Sequence, residues 1–69
     1  MGGLIMVNLT KKELRILQLI ADGYKSEQIA EELCLSVPTI KWYRSRIREK
    51  FNANTTFEVI RLAIREGII

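Results

Sequence analysis

A chain of 69 residues with a net charge of +3 provides one domain and one small hydrophobic core. It has one cysteine and no histidine, which excludes an internal disulfide and leaves almost no ligands for a zinc site. Its apolar runs are short and interrupted by charges, which excludes a membrane span, and the lone thiol without a secretory leader predicts a reducing, intracellular setting.

The first helix is predicted over about residues 10–22. Thr10 and Glu13 have the spacing of a capping box, in which each side chain binds the other residue's backbone amide, and Gly23 can end the helix in a left-handed conformation. Apolar residues then recur at intervals of three and four, as in a helix and not as in a strand. The predicted inward residues are Leu14, Leu17, Ile20 and Ala21. Residues 1–8 are predicted to be a flexible arm, a linker or a cloning remnant.

The second and third helices are predicted over about residues 26–34 and 36–51. Ser26 and Ser36 can cap them, and Pro38 falls in the first turn of the third helix, where a missing amide hydrogen costs nothing. The predicted inward residues are Ile29, Ala30 and Leu33 on the second helix, Cys34 as a small buried residue in the break, and Ile40, Tyr43, Ile47 and Phe51 on the third helix. Two helices joined by so short a break form a helix-turn-helix, whose second helix lies in the major groove of DNA.

The outward side of the third helix is strongly basic. Opposite the apolar stripe lie Lys41, Trp42, Ser45 and Arg48, flanked by Arg44 and Arg46. Residues 41–50 carry five basic side chains and one acid, whereas residues 1–33 carry four basic and five acidic ones. This concentration predicts a face that binds a polyanion, because each neutralised phosphate releases condensed counterions. A merely solvated basic face is the alternative interpretation, and Arg46 is expected to neutralise Glu49 or Glu32.

The fourth helix is predicted over about residues 55–66 and completes an all-α, four-helix bundle. Asn52 suits the preceding turn because asparagine tolerates left-handed backbone, and Thr55 with Glu58 offers a second capping box. Gly67 is expected to end the helix. The predicted inward residues are Val59, Ile60, Ala63 and Ile64, which leaves Leu62 and Phe57 outside.

A set of motifs runs in register through residues 9–69. They are Leu9-Thr10-x-x-Glu13, Leu17-x-Leu19-Ile20-Ala21-x-Gly23, Glu27-x-Ile29-Ala30-x-x-Leu33, Leu35-Ser36-x-x-Thr39-Ile40-Lys41, Ile47-x-x-Lys50-Phe51 and Gly67-Ile68-Ile69. With these motifs the chain resembles the LuxR-type (GerE-like) helix-turn-helix domain of bacterial transcription regulators. The resemblance implies a four-helix bundle in which the third helix contacts the major groove and the fourth makes a two-fold dimer.

The resemblance also implies roles for individual side chains. Lys41, Trp42 and Ser45 fall where family members contact base edges. Phosphate contacts are expected from Lys25, Ser26, Thr39, Arg44 and Lys50 through the resemblance, and from Arg48 through the basic face. The expected dimer surface is Glu58, Arg61, Leu62 and Arg65, small enough for dimerisation to be weak in solution and completed on DNA. The chain departs from the family pattern at Tyr43, Asn52 and Thr56, and Ser45 stands where a longer basic residue is common.

These features predict a non-enzymatic protein that binds double-stranded DNA at a palindromic or pseudo-palindromic site and regulates transcription. It would act as a homodimer in the bacterial cytoplasm, at the nucleoid, without a cofactor, a metal, a membrane or a small-molecule ligand. RNA polymerase is a further candidate partner. Two alternatives stay open: a protein-docking module on a helix-turn-helix scaffold, and a domain similar to region 4 of sigma factors.

Overall fold

A computed structural model describes residues 7–69, which form four α-helices. They are α1 (Lys11–Ala21), α2 (Ser26–Leu33), α3 (Val37–Phe51) and α4 (Thr56–Arg65). α3 packs against each of the other three helices, and the described residues contain no strand. The predicted all-α bundle is therefore confirmed, with every helix end within one residue of its predicted position. None of these four helices is long and apolar enough to cross a membrane. Most of the predicted N-terminal arm, residues 1–6, lies outside the described residues.

Two of the four helices begin at the predicted caps with the expected hydrogen bonds. The Thr10 hydroxyl accepts from the Glu13 amide at 3.1 Å, and the Glu13 carboxylate accepts from the Thr10 amide at 2.9 Å. The Ser36 hydroxyl accepts from the amide of Thr39 at 3.2 Å. These bonds satisfy amide donors that the first turn of a helix leaves without partners. The starts of α1 and α3 were therefore predicted correctly from local sequence.

The other two helix starts differ from the prediction in detail. The cap of α2 is Lys25 and not Ser26, which already lies inside the helix, and the side-chain oxygen of Gln28 accepts from the Lys25 amide at 2.8 Å. At α4 the Thr55 hydroxyl accepts from the Glu58 amide at 3.1 Å, as expected. The Glu58 carboxylate, however, binds the amide of Asn54 at 2.8 Å, so only half of the second capping box is present.

The hydrophobic core draws on all four helices. Its buried apolar residues are Ile16, Leu17, Leu19, Ile20, Ile29, Ala30, Ile40, Ile47, Phe51, Val59 and Ala63. Leu33, Tyr43 and Ile60 are partly buried against this cluster. The inward face of α3 is therefore the predicted one. α1 also contributes Ile16 and Leu19, which the sequence analysis did not place inside.

Three residues predicted to be buried are exposed. Ala21 ends α1 at the rim of a shallow surface depression that it shares with Ile64. Ile64 is 61% exposed because, at about 100° per residue, it points roughly 120° away from the middle of the buried pair Val59 and Ala63. Cys34 is exposed because it is the residue at which α2 ends and the chain turns toward α3. The buried apolar face of α4 is thus narrower than predicted, and that of α1 is shifted toward Ile16 and Leu19.

The turn at Cys34 carries a conformational cost that a substitution can remove. Its backbone has φ 56° and ψ 43°, a left-handed conformation that disfavours most side chains with a Cβ. We expect Cys34→Asn to raise the unfolding free energy by about 0.5–1 kcal/mol, because asparagine tolerates this conformation. Cys34→Ala is the control: it removes the thiol and keeps the strain. Thermal unfolding followed by circular dichroism distinguishes them, and equal melting temperatures would contradict the argument.

Candidate nucleic-acid interface

The core stripe of α3 determines which side of this helix faces outward. Ile40, Ile47 and Phe51 are buried, and at about 100° per residue the opposite side is centred between Trp42 and Ser45. The Trp42 side chain is 56% exposed, and Ser45 is partly exposed beside it. Lys41 is exposed on the flank of the same face. The structure therefore brings the three predicted base-contacting residues together on one face.

A basic row runs along one flank of this face. Lys41, Arg44 and Arg48 follow one another at intervals of three and four residues, so they share one side of α3. Arg44 donates to the Thr56 hydroxyl at 3.3 Å, and Arg48 donates to the Ser45 hydroxyl at 3.3 Å. These two bonds hold both guanidinium groups in place with neutral acceptors.

The two arginines of this row form no ion pair with any of residues 7–69. Burial and the nearby charge of Arg48 both lower the pKa of Arg44, although an arginine stays protonated at neutral pH. Two neighbouring cations without an acidic partner repel each other, and an anion placed between them would relieve that repulsion. The row is therefore suited to a phosphate.

An ionic cluster around one buried carboxylate lies on the other flank of α3. The Glu13 side chain of α1 is only 1% exposed, and its carboxylate pairs with Arg46 at 3.1 Å and with Lys50 at 2.7 Å. Lys50 also donates to the backbone oxygen of Asn8 at 2.8 Å. Burial raises the pKa of Glu13, but the hydrogen bonds from Lys50 and the Thr10 amide and the charges of Lys50 and Arg46 outweigh it, so the pKa is lowered.

This cluster corrects the expectation for Arg46, whose acidic partner is Glu13 and not Glu49 or Glu32. Glu32 instead lies 3.8 Å from Arg15. The sequence did contain a sign of the cluster: Glu13 is three, four and seven residues before Ile16, Leu17 and Ile20, and therefore lies on the buried face of α1. A carboxylate on such a face needs a cationic partner.

The tryptophan of α3 contacts two neighbouring side chains of the same helix. Its ring forms a T-shaped pair with that of Tyr43, with the ring centres 5.0 Å apart and the planes at 77°. The guanidinium carbon of Arg46 lies 5.4 Å from the centre of the Trp42 ring, within the range of a cation–π contact. Glu49 is also exposed on this outward face, near its C-terminal end, where no role was predicted for it.

The remaining predicted phosphate contacts lie at or near the starts of helices or beside the ionic cluster. Lys25 is exposed and Ser26 partly exposed at the start of α2. Thr39 lies in the first turn of α3, with its hydroxyl 2.8 Å from that of Ser36. Among residues 7–69, Lys50 has two acceptors, which leaves one N–H of its ammonium group for a phosphate.

The outer side of α4 differs from the predicted dimer surface. Arg61 and Arg65 are exposed, but Glu58 is only partly exposed and bound to the Asn54 amide. Leu62, predicted to lie outside, is partly buried against the core. The large apolar side chains exposed on this helix are Phe57, at 78%, and Ile64. They are seven residues apart and flank Arg61, so the outer side of α4 has an apolar half and a basic half.

The chain matches a known protein family over most of its length. The model described as bacterial regulatory proteins, luxR family, matches residues 7–63. The chain belongs to this family. The luxR-family relationship predicted from the motifs is thus confirmed, and it covers all four helices except the end of α4.

Curated luxR-family relatives are similar to the chain over most of its length. The response regulator GacA of Pseudomonas aeruginosa is 37% identical over 62 residues, which are 90% of this chain and 29% of GacA. The transcriptional regulatory protein YxjL of Bacillus subtilis is 43% identical over 60 residues, which are 87% of this chain and 28% of YxjL. The chain therefore spans less than a third of the length of these relatives.

Solved structures of a third protein, VqmA of Vibrio cholerae, share the fold. VqmA in complex with a ligand and DNA has a TM-score of 0.85 and 30% identity, covering 97% of this chain and 29% of VqmA. A VqmA dimer without its target DNA has a TM-score of 0.86 and 32% identity, covering 90% of this chain and 28% of VqmA.

Proposed function

We propose that this chain is the DNA-binding domain of a bacterial transcription regulator and that α3 enters the major groove of duplex DNA. The observation that carries the proposal is the division of α3 into a buried apolar stripe and an opposite face that combines exposed polar and aromatic residues with cations. A helix about 10–12 Å in diameter fits a groove about 12 Å wide. Membership of the luxR family and the similarity to DNA-bound VqmA support it.

Three side chains of the outward face would contact base edges. The exposed ammonium of Lys41 can donate to the acceptors of a guanine, and the Ser45 hydroxyl can donate or accept. The Trp42 ring can pack against a thymine methyl group. Because Ser45 already accepts a hydrogen bond from Arg48, its hydroxyl proton is free to point toward a base.

A second set of groups would hold the phosphate backbone without determining the sequence. Arg44 and Arg48 present two cations that carry no acidic partner among residues 7–69. The starts of α2 and α3 add Lys25, Ser26 and Thr39 together with the positive ends of two helix dipoles, and Lys50 adds its remaining N–H. These contacts would make affinity fall steeply with salt.

We further propose that the outer side of α4 joins two copies of the chain across a palindromic or pseudo-palindromic site. The exposed Arg61 and Arg65 would supply the basic part of this surface, and the exposed Phe57 and Ile64 its apolar part. Glu58 and Leu62 border it. A contact of one short helix is small, so we expect the dimer to be weak in solution and to be completed on DNA.

The dimer proposal predicts that Phe57→Ser weakens binding to a duplex with two half-sites by roughly tenfold, since the coupling between the two copies is lost. Binding to a duplex with one half-site should stay at the wild-type value, which makes that duplex the control. Fluorescence anisotropy with both duplexes measures the two affinities. An equal loss on both duplexes would show that Phe57 acts within one copy.

The cellular setting follows from the same proposal. A chromosomal site would place the protein in the bacterial cytoplasm, at the nucleoid. RNA polymerase stays a predicted partner, and no surface of the described residues is assigned to it. Since the relatives extend well beyond this domain, their remaining parts would supply the regulatory input.

The test of the proposed function is a selection of bound sequences from random duplex DNA, followed by titration of the selected duplex at several salt concentrations. We expect a palindromic or pseudo-palindromic consensus and an affinity whose logarithm falls linearly with the logarithm of salt concentration. Failure to enrich any sequence, or an affinity independent of salt, would overturn the proposal. Binding of an acidic protein that duplex DNA does not displace would instead favour a protein-docking module.

A further inference from the structure

One arginine connects a buried carboxylate of α1 to the exposed indole on the outward face of α3. The Nε of Arg46 lies 3.1 Å from the Glu13 carboxylate, and its guanidinium carbon lies 5.4 Å from the centre of the Trp42 ring. Trp42 and Arg46 are one helical turn apart, so their side chains lie next to each other on α3. Arg46 therefore has one contact inside the domain and one on its DNA-facing surface.

The geometry explains why this connection would restrict the tryptophan. The Arg46 side chain is half-exposed and would sample many rotamers if its head group were free. Its Nε is instead fixed by a carboxylate that is itself buried and held by Lys50 and by the Thr10 amide. A fixed cation over the indole and a T-shaped contact with the Tyr43 ring together restrict the orientations of Trp42.

We propose that Arg46 is a positioning residue, which orients the Trp42 ring for contact with a base edge and does not itself contact a base. This inference rests on the proposed function, because it assumes that Trp42 meets DNA. It adds a specificity-determining residue that the motifs and the basic face did not indicate. The ligand feature that Trp42 would meet is apolar, and the thymine methyl group in the major groove has that chemistry.

Fluorescence tests the orientation directly, because Trp42 is the only tryptophan in the chain. Arg46→Met removes the cation and the ion pair, and we expect it to raise the acrylamide quenching of Trp42. The matched control is Arg15→Met, which removes one exposed arginine paired with Glu32 on another part of the surface and should leave quenching unchanged. Unchanged quenching in Arg46→Met would overturn the proposal.

Binding to the selected duplex tests whether orientation matters for DNA. Arg46→Met should weaken this affinity about three- to fivefold more than Arg15→Met does, a size typical of one exposed cation–π contact. In a Trp42→Ala background the same change should have little further effect, because Arg46 acts through the indole. An equal loss in both backgrounds, with a smaller salt dependence, would show that Arg46 contacts phosphate and would overturn the proposal.

If Arg46→Met does not fold, Arg46→Lys provides a second variant for the same measurements. Lysine retains the charge beside Glu13 but lacks the planar guanidinium, so we expect raised quenching and weaker binding in the same direction. Wild-type quenching and affinity in this variant would contradict the proposal. If the wild-type chain selects no DNA sequence, the proposed function fails, while quenching in Arg46→Met still shows whether Arg46 restrains Trp42.

Discussion

Glu13→Gln is expected to lower the free energy of unfolding by about 2 kcal/mol, the size of a lost hydrogen bond to a charged group. The amide oxygen of glutamine can still accept from the Thr10 amide and from Lys50, which share one carboxylate oxygen in the wild type. Its NH₂ group then faces the Nε of Arg46, so two donors meet where an ion pair stood. Because Arg46 is half-exposed, water can replace part of the interaction that its guanidinium group loses. The decrease in the free energy of unfolding therefore stays moderate.

Thermal unfolding followed by circular dichroism measures this effect. In a domain of this size a loss of about 2 kcal/mol lowers the melting temperature by roughly 8–16 °C. Glu31→Gln is the matched control, since it makes the same chemical change at an exposed position of α2 and should leave the melting temperature nearly unchanged. Similar melting temperatures for the two variants would show that the cluster adds little to stability.

The stability difference between the wild type and Glu13→Gln should depend on pH. The folded pKa of Glu13 lies below its ordinary value of 4.5, so the unfolded chain takes up the proton first as pH falls. The stabilisation by Glu13 is therefore complete above about pH 4.5 and is lost as the pH drops through the folded pKa. The stability difference between wild type and Glu13→Gln should shrink over that range. A difference that stays constant with pH would place its origin outside the carboxylate charge.

The helices could be predicted because their causes are local in sequence. The capping bonds of Thr10 and Ser36 join residues three apart, and apolar spacing along each helix identifies most of its inward face. The outward side of α3 followed by elimination, since its apolar stripe had to be buried. The family resemblance then added the expectation that Lys41, Trp42 and Ser45 on that side contact bases.

The ionic cluster could not be predicted from any single segment. Glu13 and Lys50 are 37 positions apart in the chain and meet only when α1 packs against α3. Until that packing is known, Arg46 has several acids within reach, and the sequence favoured Glu49 and Glu32 over the correct one. Phe57 was expected outside the core, but the exposure of Ile64 was missed for a related reason, because the width of a buried helix face depends on how its neighbours are placed.

Lys41→Ala is expected to weaken binding to the selected duplex by about tenfold to a hundredfold, the range for losing one good base contact of about 1–3 kcal/mol. Lys41 is exposed on the outward face of α3, so its removal should leave the melting temperature unchanged. Binding to unrelated duplex DNA should change far less, because that binding depends mainly on phosphate contacts. Fluorescence anisotropy with both duplexes gives the ratio of the two affinities.

Two controls separate base contact from simple charge at Lys41. Lys12→Ala removes an equal charge from an exposed position on α1 and should barely affect either duplex. Arg48→Ala removes a cation assigned to phosphate, so it should weaken both duplexes similarly and reduce the salt slope by about one. The assignments of Lys41 and Arg48 are therefore tested against each other. If Lys41→Ala behaves like Arg48→Ala, Lys41 contacts the backbone, and the specificity of α3 rests on Trp42 and Ser45.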